Sequence, residues 1–449
     1  MKTSTGSVRS PWVLAAFLVL LAGCRYHPDS LADIRRLPQK PSHYLSARTA
    51  DRPLVTRSRQ EVLMEEYDRA FFLPWDRGGP QVTRQQVTAQ VGKYTEDPGY
   101  GENYRRHTHQ WAAVIRANAD LDGYPNTCRR GITVDRSHLR MLPTLRPLFA
   151  DPNQPGEGYP FDILQNSSIP ANTPVFISHT SKDGAWCYVD SHYSSGWMDS
   201  RDVAAVDSEF VREWRGRKRM ALVRDRVPVH HPQGGFLFQA DIGSLFPAQD
   251  GGADGTRIWV AVADSRRNAV PVSTTLPQDA AVLQPLELTA RNIARLADEL
   301  AGEPYGWGGL YFNRDCSATL KDLFTPFGLW LPRNSTHQAS RGGLYEDVSG
   351  LSPKEKETVV KQRAVPFFTL LWARGHIMLY LGSYEGEILV FHTFWGIRTR
   401  DFRGREGRTV VGHTAVTTLY PGKELPDADP DYAPILPRIE AMTFLGQGG

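Results

Sequence analysis

What this chain has little of excludes several classes at once. It holds four cysteines in 449 residues. Setting aside Cys24, which ends an N-terminal leader, Cys128, Cys187 and Cys316 are an odd set; Cys316 stays free, and Cys128 and Cys187 either pair or remain single. The net charge is only +3, so no basic surplus points to a nucleic-acid partner. The apolar stretch from Trp12 to Ala22 is too short to span a bilayer comfortably. Around His107-Thr108-His109 no carboxylate or cysteine stands at ligand spacing, so these histidines read as structural, and neither metal nor cofactor is expected. The remainder, 41% hydrophobic and 22% charged, is globular material of a length that calls for several domains.

The chain is organised around Tyr305-Gly306-Trp307-Gly308-Gly309 and then Asp315-Cys316-Ser317. Counting Cys316 as i, Leu320, Leu323, Phe324 and Phe327 fall at i+4, i+7, i+8 and i+11, one face of a helix whose first turn holds the cysteine. Asp315 is a good N-cap, Gly308 and Gly309 allow close backbone approach to the helix end, and Pro326-Phe327-Gly328 stops the helix. A thiol there feels the positive end of the helix dipole, which favours thiolate, so Cys316 is a candidate nucleophile.

Such a nucleophile needs a base. Gly375-His376-Ile377-Met378-Leu379-Tyr380-Leu381-Gly382 and Ile388-Leu389-Val390-Phe391-His392 flank a turn, the pattern of a β-hairpin. His376 and His392 are equidistant from Tyr384, so a ladder centred there sets them opposite or nearly opposite on one face, a pairing that a slip of one residue breaks. His376 then takes the thiol proton and His392 orients it. His413 reads as a structural residue of a later strand, and His337 as a neighbour of the site that takes no proton.

The strings Tyr-Gly-Trp-Gly-Gly, Asp-Cys-Ser, Leu331-Pro332-Arg333-Asn334-Ser335-Thr336-His337-Gln338, Gly-His-Ile-Met-Leu-Tyr-Leu-Gly and Val-Phe-His-Thr-Phe-Trp-Gly resemble, in order and spacing, those of the NlpC-type cell-wall cysteine peptidases. The resemblance implies a compact papain-like α+β catalytic fold. It also implies a Cys-His-His triad that cuts peptidoglycan stem peptides between γ-linked D-glutamate and the diamino acid. By the same resemblance Asp315 and Ser317 hold the free amino end of the stem, and Tyr305 hydrogen-bonds near the thiolate or oxyanion. Ser317-Ala318 departs from the family's common Ser-Gly; alanine occupies a helical position as well as glycine.

The rest of the chain supplies an address and accessory modules. Lys2, Arg9, the apolar stretch and Leu21-Ala22-Gly23-Cys24 match a lipoprotein signal over 1–23, with Cys24 lipidated and a tether over 24–50. This gives an envelope location, lipid-anchored, at the periplasmic face of a membrane in a Gram-negative cell. A capping box at Ser58-Arg59-Gln60-Glu61, a helix that Pro74-Trp75 ends, and a helical stretch from Trp111 mark a mixed N-terminal domain over 51–150. Short strands over 160–208 resemble the SH3-like barrels that accompany this peptidase family and often wall one side of its active site; a second barrel is expected over 217–285. The catalytic domain is expected over 286–420, and the proline-rich tail over 421–449 reads as an extended surface strap. Trp186 and Trp197 are candidates for a substrate groove, against the alternative that they fill the barrel core.

The fold class expected is therefore α+β, a papain-like domain preceded by one or two SH3-like barrels and a mixed helical domain. Two other functions stay open: a wall-binding scaffold with an inert cysteine domain, against which the full Cys, His, His set speaks, and an acyltransferase, for which no long apolar groove is recognisable. Diaminopimelate and lysine substrates are not distinguished, nor are free stem peptides and intact wall.

Overall fold

The computed structural model describes residues 31–249 and 257–447, so the leader and Cys24 lie outside it. After a five-residue helix (Ala32–Arg36) and a 3-10 turn (Pro41–Tyr44) come three longer helices, α1 (Arg57–Asp76), α2 (Arg84–Thr95) and α3 (His109–Asn118). Thr56, Thr83 and Thr108 cap them, each hydroxyl accepting a first-turn N–H. The first cap is thus Thr56 and not Ser58, and α1 runs on through Pro74 to Asp76, held by the Trp75 indole donating to the Gly131 carbonyl at 2.6 Å.

A seven-stranded antiparallel sheet follows: β1 (Arg129–Thr133), β2 (Ser137–Arg140), β3 (Gln165–Ile169), β4 (Pro174–Thr180), β5 (Trp186–Asp190), β6 (Ser195–Asp199) and β7 (Val203–Ala205), in the order β3-β2-β6-β5-β4-β1-β7. Two of its strands come from the stretch 129–140 that the sequence pattern groups with the N-terminal helices; strands so short find stability only in a larger sheet. Cys187, Val189 and Met198 fill the barrel with Leu139, Ile169 and Val175, whereas Tyr188 and Trp197 pack against Val87, Val91 and Ile115 of the helices. This sheet is buried on both faces.

After α4 (Ser208–Arg215) come β8 (Arg219–Leu222), β9 (Val227–His230), β10 (Phe236–Ala240), β11 (Leu245–Pro247), β12 (Arg257–Ala263), β13 (Ala269–Thr275) and β14 (Ala281–Leu283). They pair as β10-β9, β11-β8-β14 and β12-β13 around Leu222, Val229, Phe238, Phe246 and Val260.

The C-terminal part carries α5 (Ala290–Leu300), α6 (Cys316–Phe324), α7 (Ser335–Arg341) and α8 (Pro353–Arg363) with a six-stranded antiparallel sheet. Its strands are β15 (Gly343–Asp347), β16 (Thr369–Ala373), β17 (His376–Tyr384), β18 (Glu387–Arg400), β19 (Glu406–Thr418) and β20 (Ile439–Leu445), in the order β15-β20-β16-β17-β18-β19. Alternation along β17 sends Ile377, Leu379 and Leu381 into a core with Leu296, Leu320 and Phe324, and Met378 and Tyr380 into another closed by Val360 of α8. The tail is no surface strap. Its prolines all precede Arg438, and the proline-free β20 that follows lies between β15 and β16, burying Ala441 and Leu445 in one core and Met442 and Phe444 in the other.

Candidate active site

Cys316 is the first residue of α6, and Asp315 caps that helix by accepting the Ala318 N–H at 2.9 Å. The start of β17 packs against this helix, and the Ile377 and Ser317 N–H groups favour the ionised form of the sulfur. A cavity of about 890 Å³ opens there, lined by Cys316, His376, His392, Asp315, Ser317 and Tyr305.

The hairpin ladder is not centred on Tyr384. Tyr384 pairs with Glu387 across the turn Glu385-Gly386, whose φ angles are +51° and +83°, and a bulge between Tyr380 and Gly382 then brings Leu379 opposite Phe391. His376 and His392 are therefore diagonal and not directly opposed. Even so, His376 Nε2 and His392 Nδ1 lie 2.7 Å apart. His392 Nε2 is 2.9 Å from Thr417 Oγ1, and Thr417 donates its own hydroxyl proton to the Thr418 carbonyl at 2.8 Å. An oxygen whose proton is committed must accept, so His392 carries its proton on Nε2 and its Nδ1 accepts from His376 Nε2–H. The His376 Nδ1 lone pair is left for a thiol proton. Thr417 has no signal in the sequence motif; only its strand partnership with β18 places it here.

Burial pushes the Cys316 thiol up to about 12, helped by the Asp315 carboxylate and opposed by the Ile377 N–H and Arg333. Burial likewise brings His376 down to about 4, with Arg438 adding to the drop, and holds His392 well below the imidazole range. Burial thus favours the neutral thiol and neutral imidazoles, against the thiolate that the helix dipole alone predicts. Desolvating a full charge costs more than the partial charge of a helix end returns.

Arg333 is the largest omission from the sequence reading. Its guanidinium grips Asp315 with two bonds of 3.0 and 2.7 Å, donates to Ser317 Oγ at 3.0 Å and reaches Ser167 Oγ of β3 at 2.8 Å. Asp315 also accepts from Ser317 Oγ at 3.1 Å and from the Gly308 N–H at 3.1 Å. Burial would raise this carboxyl, yet Arg333 holds it below the usual carboxylate range. Asp315 and Ser317 thus position the helix start, and both also line the cavity.

Tyr305 lines the cavity with its ring 5.8 Å from Trp395, and burial, then the Asp315 carboxylate, push its hydroxyl well above the phenol range. Trp186 and Trp197 do not line the cavity. Trp197 is fully buried among Tyr188 and His179, and Trp186 joins the seam between barrel and helices. The aromatic walls instead include Phe161, Tyr193, Trp307 and Trp395; the first two come from the seven-stranded domain, so this barrel does wall the site. Gly308 and Gly309, at φ +58° and +85°, let it in: a Cβ on Gly308 would run into the Gln165 carbonyl and one on Gly309 into Ser168. The glycines thus serve barrel docking as well as the approach to the helix end, where the Gly308 N–H meets Asp315.

Elsewhere, Cys128 is exposed and Cys187 buried, neither in a disulfide. His107 bonds the Pro147 carbonyl at 2.8 Å and stacks on Trp111, and His413 bonds the Thr414 carbonyl at 3.0 Å. His337 is exposed in α7 and bonded to Asn334, while Asn334 and Ser335 beside it line the cavity.

A thiol at a helix start, two imidazoles joined on neighbouring strands and a walled cavity are the makings of a cysteine-type hydrolase. Comparison with known proteins narrows that class. Residues 302–405 match the NlpC/P60 family, 147–199 an SH3 domain of SH3b1 type, 207–250 an SH3 domain of SH3b2 type, and 12–124 the N-terminal stabilising domain of NlpC/P60 proteins. An NlpC/P60 endopeptidase from Photobacterium damselae subsp. piscicida is similar in structure, at 26% identity and a TM-score of 0.83, over 92% of this chain and 98% of that one. An NlpC/P60 family protein from Bacillus cereus ATCC 10987 is 13% identical with a TM-score of 0.45, over 70% of this chain and 98% of that one. Among curated proteins nothing matches. The chain thus carries an NlpC/P60 domain preceded by SH3b1- and SH3b2-type domains, and that family match together with the likeness to the Photobacterium endopeptidase supports a cell-wall endopeptidase.

Proposed function

We propose that the chain hydrolyses the amide between γ-linked D-glutamate and the diamino acid of peptidoglycan stem peptides, through Cys316, His376 and His392. What carries this reading is the 2.7 Å contact between the imidazoles in the cavity that also holds Cys316. As the sulfur attacks the amide carbon, its proton passes to His376 Nδ1, and His392 Nδ1 accepts from the imidazolium so formed. Backbone N–H groups at the start of α6 and the Tyr305 hydroxyl stabilise the oxyanion. The carbon–nitrogen bond then breaks, His376 protonates the leaving amine, and the acyl group remains on Cys316 as a thioester. Water gives a proton to His376, adds to the thioester and frees the thiol and the glutamyl carboxylate. General acid–base catalysis is worth about a hundred- to ten-thousandfold. His376→Ala should lose turnover by at least that much at an unchanged melting temperature, with cleavage of defined stem peptides followed by mass spectrometry. Full activity in that variant, or intact peptide after incubation with the unaltered protein, contradicts the assignment. The envelope location through lipidated Cys24 belongs to the same proposal, and the mass of the mature N-terminal peptide tests it.

A further inference from the structure

The cavity wall is strongly basic. Lys93, Arg333, Arg398, Arg408 and Arg438 line it against one carboxylate, Asp315, which Arg333 already neutralises. Arg398 and Arg408 share Glu406 at 2.5 and 2.7 Å, and Arg398 also lies 3.1 Å from Asp429. Arg438 differs. Among the described residues its one hydrogen bond runs from Nη1 to the Tyr432 carbonyl at 2.7 Å, and it has no acidic partner within ion-pair distance. It is partly buried, and its positive charge reaches His376. Glu440, the nearby carboxylate, is paired with Arg374, and a guanidinium taken partly out of water without an ion-pair partner of its own is held at a cost in desolvation that a bound carboxylate would offset.

We propose that Arg438 anchors a carboxylate of the diamino acid, on the leaving side of the scissile amide. The inference rests on the function proposed above: His376 hands its proton to the leaving amine, so the cation that lines the same cavity as His376 and whose charge bears on it serves the leaving half of the substrate. Two carboxylates fit this chemistry. One is on the side chain of diaminopimelate and absent from lysine; the other is the chain-terminal group that both tripeptides carry.

Calorimetry with Cys316→Ala and with Cys316→Ala/Arg438→Gln in the full chain separates them. The probes are the diaminopimelate tripeptide, its side-chain amide, its C-terminal amide and the lysine tripeptide. Hydrogen bonds to a charged group translate into about ten- to hundredfold in affinity. Arg438→Gln should weaken only the peptides that carry the anchored group. A loss confined to peptides with the free side-chain carboxylate identifies that source, and a loss confined to those with a free C-terminus identifies the other. Equal affinities in both proteins, an equal loss for all four peptides, or no binding to either protein overturns the role of Arg438. Turnover by the unaltered protein is measured alongside: absence of cleavage sinks the proposed reaction, while the binding arms still decide Arg438.

Discussion

The two SH3-like domains hold the same few residues of the catalytic chain by different means. The first reaches the site itself: Phe161, Gln165, Asn166 and Tyr193 line the cavity, and Ser167 completes the ring of contacts around Arg333 and Asp315. The second lines none of it. It takes hold one residue earlier, where buried Arg314 bonds Asp225 at 2.5 and 2.9 Å, Asp322 of α6 at 2.7 Å and the Ile242 carbonyl at 2.9 Å. Neighbouring positions, 314 and 315, thus face two barrels. One barrel is a wall that a substrate meets; the other is a brace behind the helix that bears the thiol. Changes in the first should alter what is cut, and changes in the second how firmly the site is held.

The largest effect is expected from Arg333→Met. It strands the buried Asp315 carboxylate and removes the tie to Ser167, and breaking a buried pair in this way costs about 3–5 kcal/mol. Because Asp315 sets the first turn of α6, small displacements of the thiol should lower kcat/KM by about a hundredfold. Denaturant unfolding and peptide kinetics measure both, and retention of activity would remove the first barrel from the site. Arg314→Met should cost a similar 3–5 kcal/mol in unfolding, yet leave KM and the preferred peptide length unchanged. A change in which stem lengths are cut would make the second barrel a wall as well.

A smaller effect is expected from Gly309→Ala, which puts a methyl against Ser168 at a backbone conformation few side chains adopt. Strain of this kind costs about 1–3 kcal/mol. If it pushes the first barrel off the catalytic loop, cleavage of pentapeptide relative to tripeptide should rise. An unchanged ratio would mean that the barrel does not limit substrate length.

How legible this arrangement is in the sequence depends on distance along the chain. The Cys316 helix, its Asp315 cap and the histidine hairpin are local patterns, and periodicity suffices to place them. The diagonal offset of His376 and His392 was not legible, because the bulge at Tyr380 to Gly382 depends on the packing of Leu381 into the core. Trp186 and Trp197 look like groove aromatics because nothing local shows that α2 and α3 cover their face of the barrel. β20 was hidden by the prolines before it, and Arg333 by partners 18 and 166 residues away.

The smallest effect concerns pH, and it sets the barrels against each other. In the first, burial pushes Asp202 up to about 6, with Asp199 and Asp135 adding to the rise, although Ser137 donates to it at 2.5 Å. A carboxyl whose folded pKa exceeds its unfolded one binds its proton more tightly when folded. Its stabilising share is present below the ordinary pKa of 3.8 and is lost as pH rises through about 6. In the second barrel Asp264 is held below the usual range, first by the Asn268 N–H. Its share is present at neutral pH and is lost as pH falls through that lowered value. Asp202→Asn keeps an acceptor for Ser137 and removes the charge. It should therefore stabilise the protein by about 1 kcal/mol at pH 7.5, allowing for solvent screening of a part-exposed group, and by nothing at pH 3.5. Melting temperatures of both proteins at the two pH values measure this, and equal differences at both would show that Asp202 does not carry the pH dependence of the first barrel.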